Sequence, residues 1–541
     1  MYADKVIKSN AVFTGLDDEP FAGGVAIKDG KILAAVSANE IDQYIGPDTQ
    51  TFSYGDNLIM PGLIDGHQHL WWGAVADSNY MIDISASTSE AEAVEMIEAF
   101  AKEHPDYPRI RGFGWFPATW NNAPLPSKNS LDAAVPDRPV YMLCADAHSG
   151  WLNSKALDEA GYSVTDEFDG GHLGIGEDGE LDGIVFEPAA LEKAWQAIYD
   201  FSEEQIFEIT EAYMKGLAKQ GVTAISEMSG DGYDDMHYKR YKVFKEMDQK
   251  GQLTSKIHLY TQMKGITDFT TAKEWQKEFW SDRFRLTGVK AFLDGVTSTY
   301  TALLLEPYED RPDTCGDGAP LISQEDLNAS VIAANKAGLP VRLHCIGDGA
   351  VRMGLDAFEK SIEANGRHGL ANTIEHIENA HPDDIPRFKE LDVIASLQGE
   401  HLPQENNEKL IRIGEERCRY EWPFRSLWDA GATLAFGTDF PVVKYNQFPG
   451  IYAAVDRKNY DGSIAGADNG EKLTIAEALT ANTLGSAKAY GRQDEMGTLE
   501  PGKCADVIVL DRDPFKRPVS ELNDITVRLT MVDGDVTYQA Q

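Results

Sequence analysis

Residues 61–70 read PGLIDGHQHL: a turn, a short apolar run, and two histidines two positions apart, His67 and His69. Pro61-Gly62 punctuates the chain, and the run after it has the length of a buried strand. Residues two apart on a strand face the same side, so both imidazoles project from one face at the strand's C-terminal end. Seven runs of similar texture follow: VTAISEM (222–228), KIHLYTQM (256–263), TGVKAFLDG (287–295), PVRLHCIGD (340–348), NTIEHIE (372–378), VIASLQ (393–398) and ATLAFGTD (432–439). Near-continuous apolar runs of this length mark parallel strands buried on both faces. Helical patterns such as EEQIFEITEAYMKGLAKQG (203–221) and QEDLNASVIAANKAG (324–338) separate many of them. Eight strand–helix units predict an α/β fold, a distorted (β/α)8 TIM barrel. A doubly wound sheet would need a glycine-rich phosphate turn after its first strand, and none stands there.

Working outward from that barrel, about 150 residues separate the first run from the second, far more than a βα connection requires. They predict an inserted subdomain over 72–200, rich in tryptophan, which barrel architecture would set over the mouth as a substrate-selecting element. The two ends of the chain share a different texture, short alternating strands such as GGVAIKDGKILAAV and DITVRLTMVDGDVTYQA. Asp29-Gly30 and Asp533-Gly534, flanked by alternating apolar residues, are hairpin signals. Neither end buries a sheet alone, so 1–57 and 480–541 are expected to form one discontinuous β-sandwich domain beside a barrel of 58–479.

Composition narrows the function. The 541 residues are 42% hydrophobic and 10% aromatic, enough for a large core, and 49 Lys+Arg against 88 Asp+Glu leave a net charge of −39. Nucleic acid and anionic membrane both demand a positive face, so neither is an expected partner. No run approaches a membrane span, and the N-terminus lacks a signal-peptide layout, so the expected location is the cytoplasm. The five cysteines (Cys144, Cys315, Cys345, Cys418, Cys504) are scattered without a CxxC pair, which argues against a disulfide scaffold or zinc knuckle.

The polar residues inside the apolar runs carry the chemistry. Besides His67 and His69 they are Lys290 in the fourth run, His344 in the fifth, His376 in the sixth and Asp439 at the end of the eighth. A lone histidine in an apolar strand is ordinarily a satisfied core residue. Paired imidazoles on one face are costly to bury without a shared cation, and an isolated buried ammonium costs more still. A neutral lysine amine reacts with CO2 to give a carbamate, an oxygen ligand able to bridge two cations. Six such residues at matching strand positions converge on one cavity.

The chain resembles the amidohydrolase superfamily, specifically the YtcJ-like branch, amidohydrolase family 3, which includes N-substituted formamide deformylases. The resemblance covers almost the full length. It rests on PGLIDGHQHL (61–70), GFGW (112–115), ADAHSGWLNSKAL (145–157), GVKAFLDG (288–295), VRLHCIGDGAV (341–351), TIEHIENAHPDDIPRFKEL (373–391), ASLQGEH (395–401), FGTDFPV (436–442) and GTLEPGKCADVIVLD (497–511). The resemblance implies that His67 and His69 hold the more buried of two divalent metal ions, and that a carbamylated Lys290 bridges the pair. It further implies that His344 and His376 hold the second ion and that Asp439 binds metal and handles the proton. Zinc is the first expectation, with manganese or iron as alternatives. The implied reaction is hydrolysis of a C–N bond in an amide, formamide or cyclic amide, with Asp439 as general base and then general acid. A deaminase or cyclic-urea hydrolase, or a catalytically silent ligand-binding regulator, are the rival readings.

Around that centre the sequence offers four substrate-binding candidates. Trp115 reads either as a platform for an apolar substrate group or as a core tryptophan. His148 with Asp146 reads as a substrate-orienting pair or as a polar turn of the insertion. His401 sits in ASLQGEH, where Gly399-Glu400 departs from the branch's usual proline and small residue and leaves its role open. Apart from these four, Glu227 ends the second run and faces either the barrel mouth or a neighbouring helix. The expected partner is a small-molecule substrate, with a homodimer as the default assembly.

Overall fold

The computed structural model describes residues 1–117, 119–120, 123–145, 148–168, 171–312, 320–405, 407–467 and 469–540. All eight apolar runs contain strands, which pair in parallel and in sequence order. They are β1 (Leu63–Gln68), β2 (Val222–Asp231), β3 (Lys256–Gln262), β4 (Phe284–Phe292), β5 (Val341–Cys345), β6 (Thr373–His376), β7 (Ile394–Leu397) and β8 (Leu434–Phe436). Beyond β8 the chain returns to β1: the Asp439 amide donates to the His67 carbonyl at 2.7 Å, and the His69 amide to the Phe440 carbonyl at 2.7 Å. Glycine permits this approach. A Cβ on Gly437 would lie 2.3 Å from the His67 nitrogen, and one on Gly66 2.7 Å from the Phe436 oxygen. The TIM-barrel expectation is met.

The outward faces of the strands and the inward faces of the helices form one large core, including Val289, Leu343, Val351, Leu355, Phe358 and Ile374. Cys345 lies in that core, where burial pushes its thiol pKa well up. It is a packing residue. Cys144, Cys345, Cys418 and Cys504 are all buried; Cys315 lies outside the described residues.

Both ends of the chain build one eight-stranded sheet, as the alternating texture predicts. Its order is Asp535–Gln539, Val527–Val532, Val507–Leu510, Leu58–Pro61, Lys5–Val12, Phe21–Lys28 and Lys31–Ser37, with Gln50–Ser53 beside Lys5–Val12. The sheet folds over a shared core of Ile7, Val25, Ile27, Val507, Val509 and Leu529, a small sandwich. Both predicted hairpins turn at Asp29-Gly30 and Asp533-Gly534, with positive φ at all four residues. Two boundaries shift. Leu58–Pro61 pairs with Val507–Val509 and so belongs to the terminal sheet, not the barrel. Residues 481–490 pack on the barrel instead, through Ser486 on Phe436 and the Tyr490 hydroxyl on the Asp65 carbonyl.

Residues Trp72–Tyr213 form a separate compact unit. Its six-stranded sheet runs His172–Ile175, Leu181–Phe186, Ser149–Leu152, Val140–Cys144, Ile110–Trp115 and Ile82–Asp83. Among the described residues no helix is long and apolar enough to cross a membrane.

Candidate metal centre

The parallel strands carry their chemistry to one end. There, Asp439 Oδ1 lies 3.3 Å from His67 Nε2 and 3.0 Å from His69 Nε2. The His67 ring centroid is 4.7 Å from that of His376, which is 4.3 Å from that of His344. His67, His376 and Asp439 each offer a ligand atom, all within 4.8 Å of one another. The strand ends bring His67, His69, His344, His376 and Asp439 together.

Two of the ligand candidates sit on strained backbone. His376 and Asp439 hold φ of 75° and 60°, a region that costs a non-glycine residue about 1–3 kcal/mol. A buried frame over-determines Asp439. Asp65 accepts from the Thr438 hydroxyl at 2.6 Å, the Thr438 amide at 2.9 Å and the Gln447 amide group at 2.8 Å. Burial lifts the Asp65 carboxyl to about 6, against the pull of those bonds.

Each ring has its own support. His67 Nδ1 is 2.7 Å from Glu375 Oε2, and Arg342 Nε donates to Glu375 Oε1 at 2.5 Å, all three side chains fully buried. Burial alone would raise the Glu375 carboxyl; Arg342 and His67 outweigh it and hold the group well below the carboxylate range. A proton on Nδ1 toward Glu375 leaves Nε2 with its lone pair toward the centre, the usual arrangement behind a metal-binding histidine. His69 Nδ1 is 3.3 Å from the Ser229 hydroxyl, which bonds Glu227. Glu227 also accepts the Trp71 amide at 2.8 Å, in the first turn of the helix Leu70–Ala76 that follows β1, so it bonds both that helix and the Ser229 beside His69. His344 Nε2 lies 3.4 Å from the Gly295 carbonyl and 3.7 Å from Asp294 Oδ1. Asp294 in turn accepts three backbone amides, from Leu303, Ile346 and Gly347, at 2.9–3.0 Å. Burial and the nearby Lys290 lower His344 to about 3, and burial with His344 and His67 takes His376 well below its ordinary value. Both shifts favour the neutral imidazole, the form that binds metal.

Lys290 is 1% exposed, and its ammonium has no hydrogen-bond partner. Burial lowers it to about 8, with Glu375 and Asp439 opposing. His67 Nε2, both nitrogens of His376 and Asp439 Oδ1 are likewise buried without a hydrogen-bond partner. Leaving such atoms unsatisfied costs about 1–3 kcal/mol each. A divalent cation is the group this donor set fits.

A family model described as the amidohydrolase family matches residues 55–538. The chain belongs to the amidohydrolase family. Protein LONG AFTER FAR-RED 3 of Arabidopsis thaliana is 30% identical to it over 99% of this chain and 92% of that protein. The putative amidohydrolase YtcJ of Bacillus subtilis (strain 168) is 26% identical over 98% of both chains. The N-substituted formamide deformylase of Arthrobacter pascens is 26% identical over 96% of this chain and 95% of that one. Among solved structures, an uncharacterized metal-dependent hydrolase from Pyrococcus horikoshii OT3 superposes with a TM-score of 0.78, at 26% identity, covering 95% of this chain and 99% of that one. The predicted YtcJ-like resemblance is met, and membership brings a hydrolytic role on small molecules.

The amidohydrolase's four substrate-binding candidates fare differently. His401 stands at the centre: its Nε2 lies 3.8 Å from Asp439 Oδ2, and its ring is nearly parallel to that of His376, 6.1 Å away. Burial would lower its pKa, but Glu378 and Asp439 raise it above the ordinary value. Of its two readings Trp115 takes the second, a core residue. It is 1% exposed, donates its indole N–H to the Met142 carbonyl at 2.9 Å, and packs with Trp120 and Trp151 in the core of the inserted unit. Its faces are covered by protein and not open to substrate. His148 lies on the inserted unit, half exposed, 2.8 Å from Glu187; Asp146 lies outside the described residues.

Sequence reasoning missed Glu375, Arg342, Asp65 and Asp294. One signal was available for each: a charged residue inside an otherwise apolar run, which a chain buries only with a partner.

Proposed function

We propose that the protein hydrolyses the C–N bond of an amide, formamide or cyclic amide, using two divalent cations. His67, His69 and Asp439 would hold one, His344 and His376 the other, and a carbamylated Lys290 would bridge them. Zinc suits imidazole and carboxylate-type oxygen; manganese or iron are the alternatives. When bound, such a pair supplies a nucleophilic hydroxide at neutral pH and polarises a carbonyl. The chain's own residues do the rest. Asp439 has its Oδ1 beside His67 and His69, while Oδ2 faces His401 and His376 at 3.8 and 4.0 Å. The oxygen turned away from the first pair of histidines is placed to take a proton from the attacking water and deliver it to the leaving nitrogen. Glu375 fixes the His67 ring, and the Asp65–Thr438 frame fixes the backbone of Asp439.

The observation that carries this reading is the buried set of unpartnered donor atoms, Lys290 Nζ among them, at the strand ends. The test is metal analysis of purified protein with a screen of zinc- or manganese-loaded protein against formamides, N-acyl amines, N-acyl amino acids and cyclic imides. We expect close to two transition-metal ions per chain and turnover that a chelator abolishes. Metal-free protein that still hydrolyses an amide, or loaded protein that hydrolyses none of these classes, overturns the reading.

A further inference from the structure

The proposed reaction assigns no part to three buried side chains that stand in file beside the centre, namely Lys409, Glu378 and His401. Lys409 is 1% exposed, lies 3.9 Å from the centroid of the Trp422 ring, and is bonded to Glu378 Oε2. The other oxygen of that carboxylate, Oε1, lies 3.6 Å from His401 Nδ1. At the far side of the ring, His401 Nε2 is buried without a hydrogen-bond partner, 3.8 Å from Asp439 Oδ2.

Burying a lysine and a glutamate together is a poor route to stability, because desolvation of both charges consumes the attraction between them. The arrangement has a further consequence. Lys409 fixes one carboxylate oxygen and leaves the other turned to an imidazole. A carboxylate oxygen faces each ring nitrogen, and carboxylates only accept, so both nitrogens are disposed as donors. The separations are too long for hydrogen bonds. Catalytic contacts without substrate are commonly long and tighten once the complex forms. An oxygen atom brought between His401 Nε2 and Asp439 would meet a donor on one side and the proton-carrying carboxylate on the other.

We infer that Lys409 and Glu378 are positioning residues that hold His401 so that Nε2–H donates to the substrate carbonyl oxygen as that oxygen gains negative charge. This rests on the hydrolytic reading above. His401 touches substrate; Glu378 and Lys409 act only through it. Their sequence distance hides the connection, since Glu378 follows β6 and Lys409 lies in the helix Glu408–Ile413 beyond β7.

The experiment combines kinetics on metal-loaded protein with a substrate-free spectrum. His401→Ala is expected to lower kcat about a hundredfold with metal content unchanged, the effect of removing one such donor. Glu378→Gln, which keeps the side chain's shape, is expected to lower kcat roughly tenfold, the scale seen for groups that orient a functional ring. In the His401→Ala background Glu378→Gln should add nothing, because a residue that works through another falls silent without it. Lys409→Arg should keep activity that Lys409→Met loses. Equal losses from Glu378→Gln with and without His401, or a raised KM with kcat intact, overturn the inference. Independently of any substrate, the ring-nitrogen NMR signal of His401, identified by its disappearance in His401→Ala, should move in Glu378→Gln. An unmoved signal also overturns the positioning. A moved signal in a protein that hydrolyses no amide supports the positioning and faults the reaction.

Discussion

Among the described residues two clusters bring three potential ligand residues within 4.8 Å: His67, His376 and Asp439 at the barrel strand ends, and Cys504, Asp506 and Asp533 where the terminal sheet meets β3. By distance alone they are equivalent. Their surroundings are opposite. In the second, the Lys256 ammonium sits 2.6 and 2.7 Å from the two oxygens of Asp506 and 2.9 Å from Asp533. Arg283 donates to Asp533 at 2.8 Å, and the Lys31 ammonium is 3.2 Å from Cys504. The chain has built the cation in. In the first, Lys290 is as buried, yet its amine meets no acceptor, and the nearby imidazole and carboxylate atoms are unpartnered too. A metal site is a donor cluster that the fold leaves short of positive charge, and proximity by itself does not identify one.

The sharpest way to break this contrast is to delete the lysine of each cluster. Lys290→Ala should strip bound metal and lower activity at least about a thousandfold, at the upper end of what a lost electrostatic contact costs. The fold should survive, because the core is built from the strands' outward faces. Metal analysis, circular dichroism and turnover check it together; a Lys290→Ala variant as active as the parent refutes the bridging role. Lys256→Met should do the reverse. Removing one partner from a buried ion cluster typically costs about 3–5 kcal/mol of stability, while metal content and kcat stay at parental values. Denaturant unfolding reads the first and metal analysis the second. If Lys256→Met loses metal while Lys290→Ala does not, the two assignments are exchanged.

The contrast also explains what could be read from the sequence. The eight strands were legible because parallel strands buried on both faces need continuous apolar runs, and His67, His69 and Asp439 stood out as polar residues at their ends. The supporting carboxylates did not stand out. Glu375 is tolerated in β6 only because Arg342 comes from β5 and His67 from β1, partners that no local pattern reveals. Asp65 depends on Thr438 and Gln447, more than 370 residues away. The boundary at 58 fell a few residues early for a related reason: Leu58–Pro61 joins the sandwich by pairing with Val507–Val509, a partner far along the chain. Trp115 had two readings with the same residue, and the choice lay in Trp120 and Trp151 closing over it.

The smallest expected effect sharpens the comparison by pH. Burial would raise the Asp533 carboxyl, but Lys256 and Arg283 overcome it and bring the group from its ordinary 3.8 down to about 2 in the folded chain. A carboxyl lowered on folding releases its proton more readily in the native state than in the unfolded one. Its stabilisation is therefore complete above the ordinary carboxylate range and is lost as pH falls from about 4 through about 2, a contribution of roughly 2 kcal/mol. Other carboxylates titrate over the same window, so the informative quantity is the difference between parent and Lys256→Met. With the lysine gone, only Arg283 holds Asp533 down, and the variant should lose less stability between pH 5 and pH 2 than the parent does. Urea midpoints at those two pH values measure both losses. Equal losses would mean that Lys256 is not what satisfies this cluster, and the distinction between a filled donor set and one awaiting a cation would fail at the very place it was drawn.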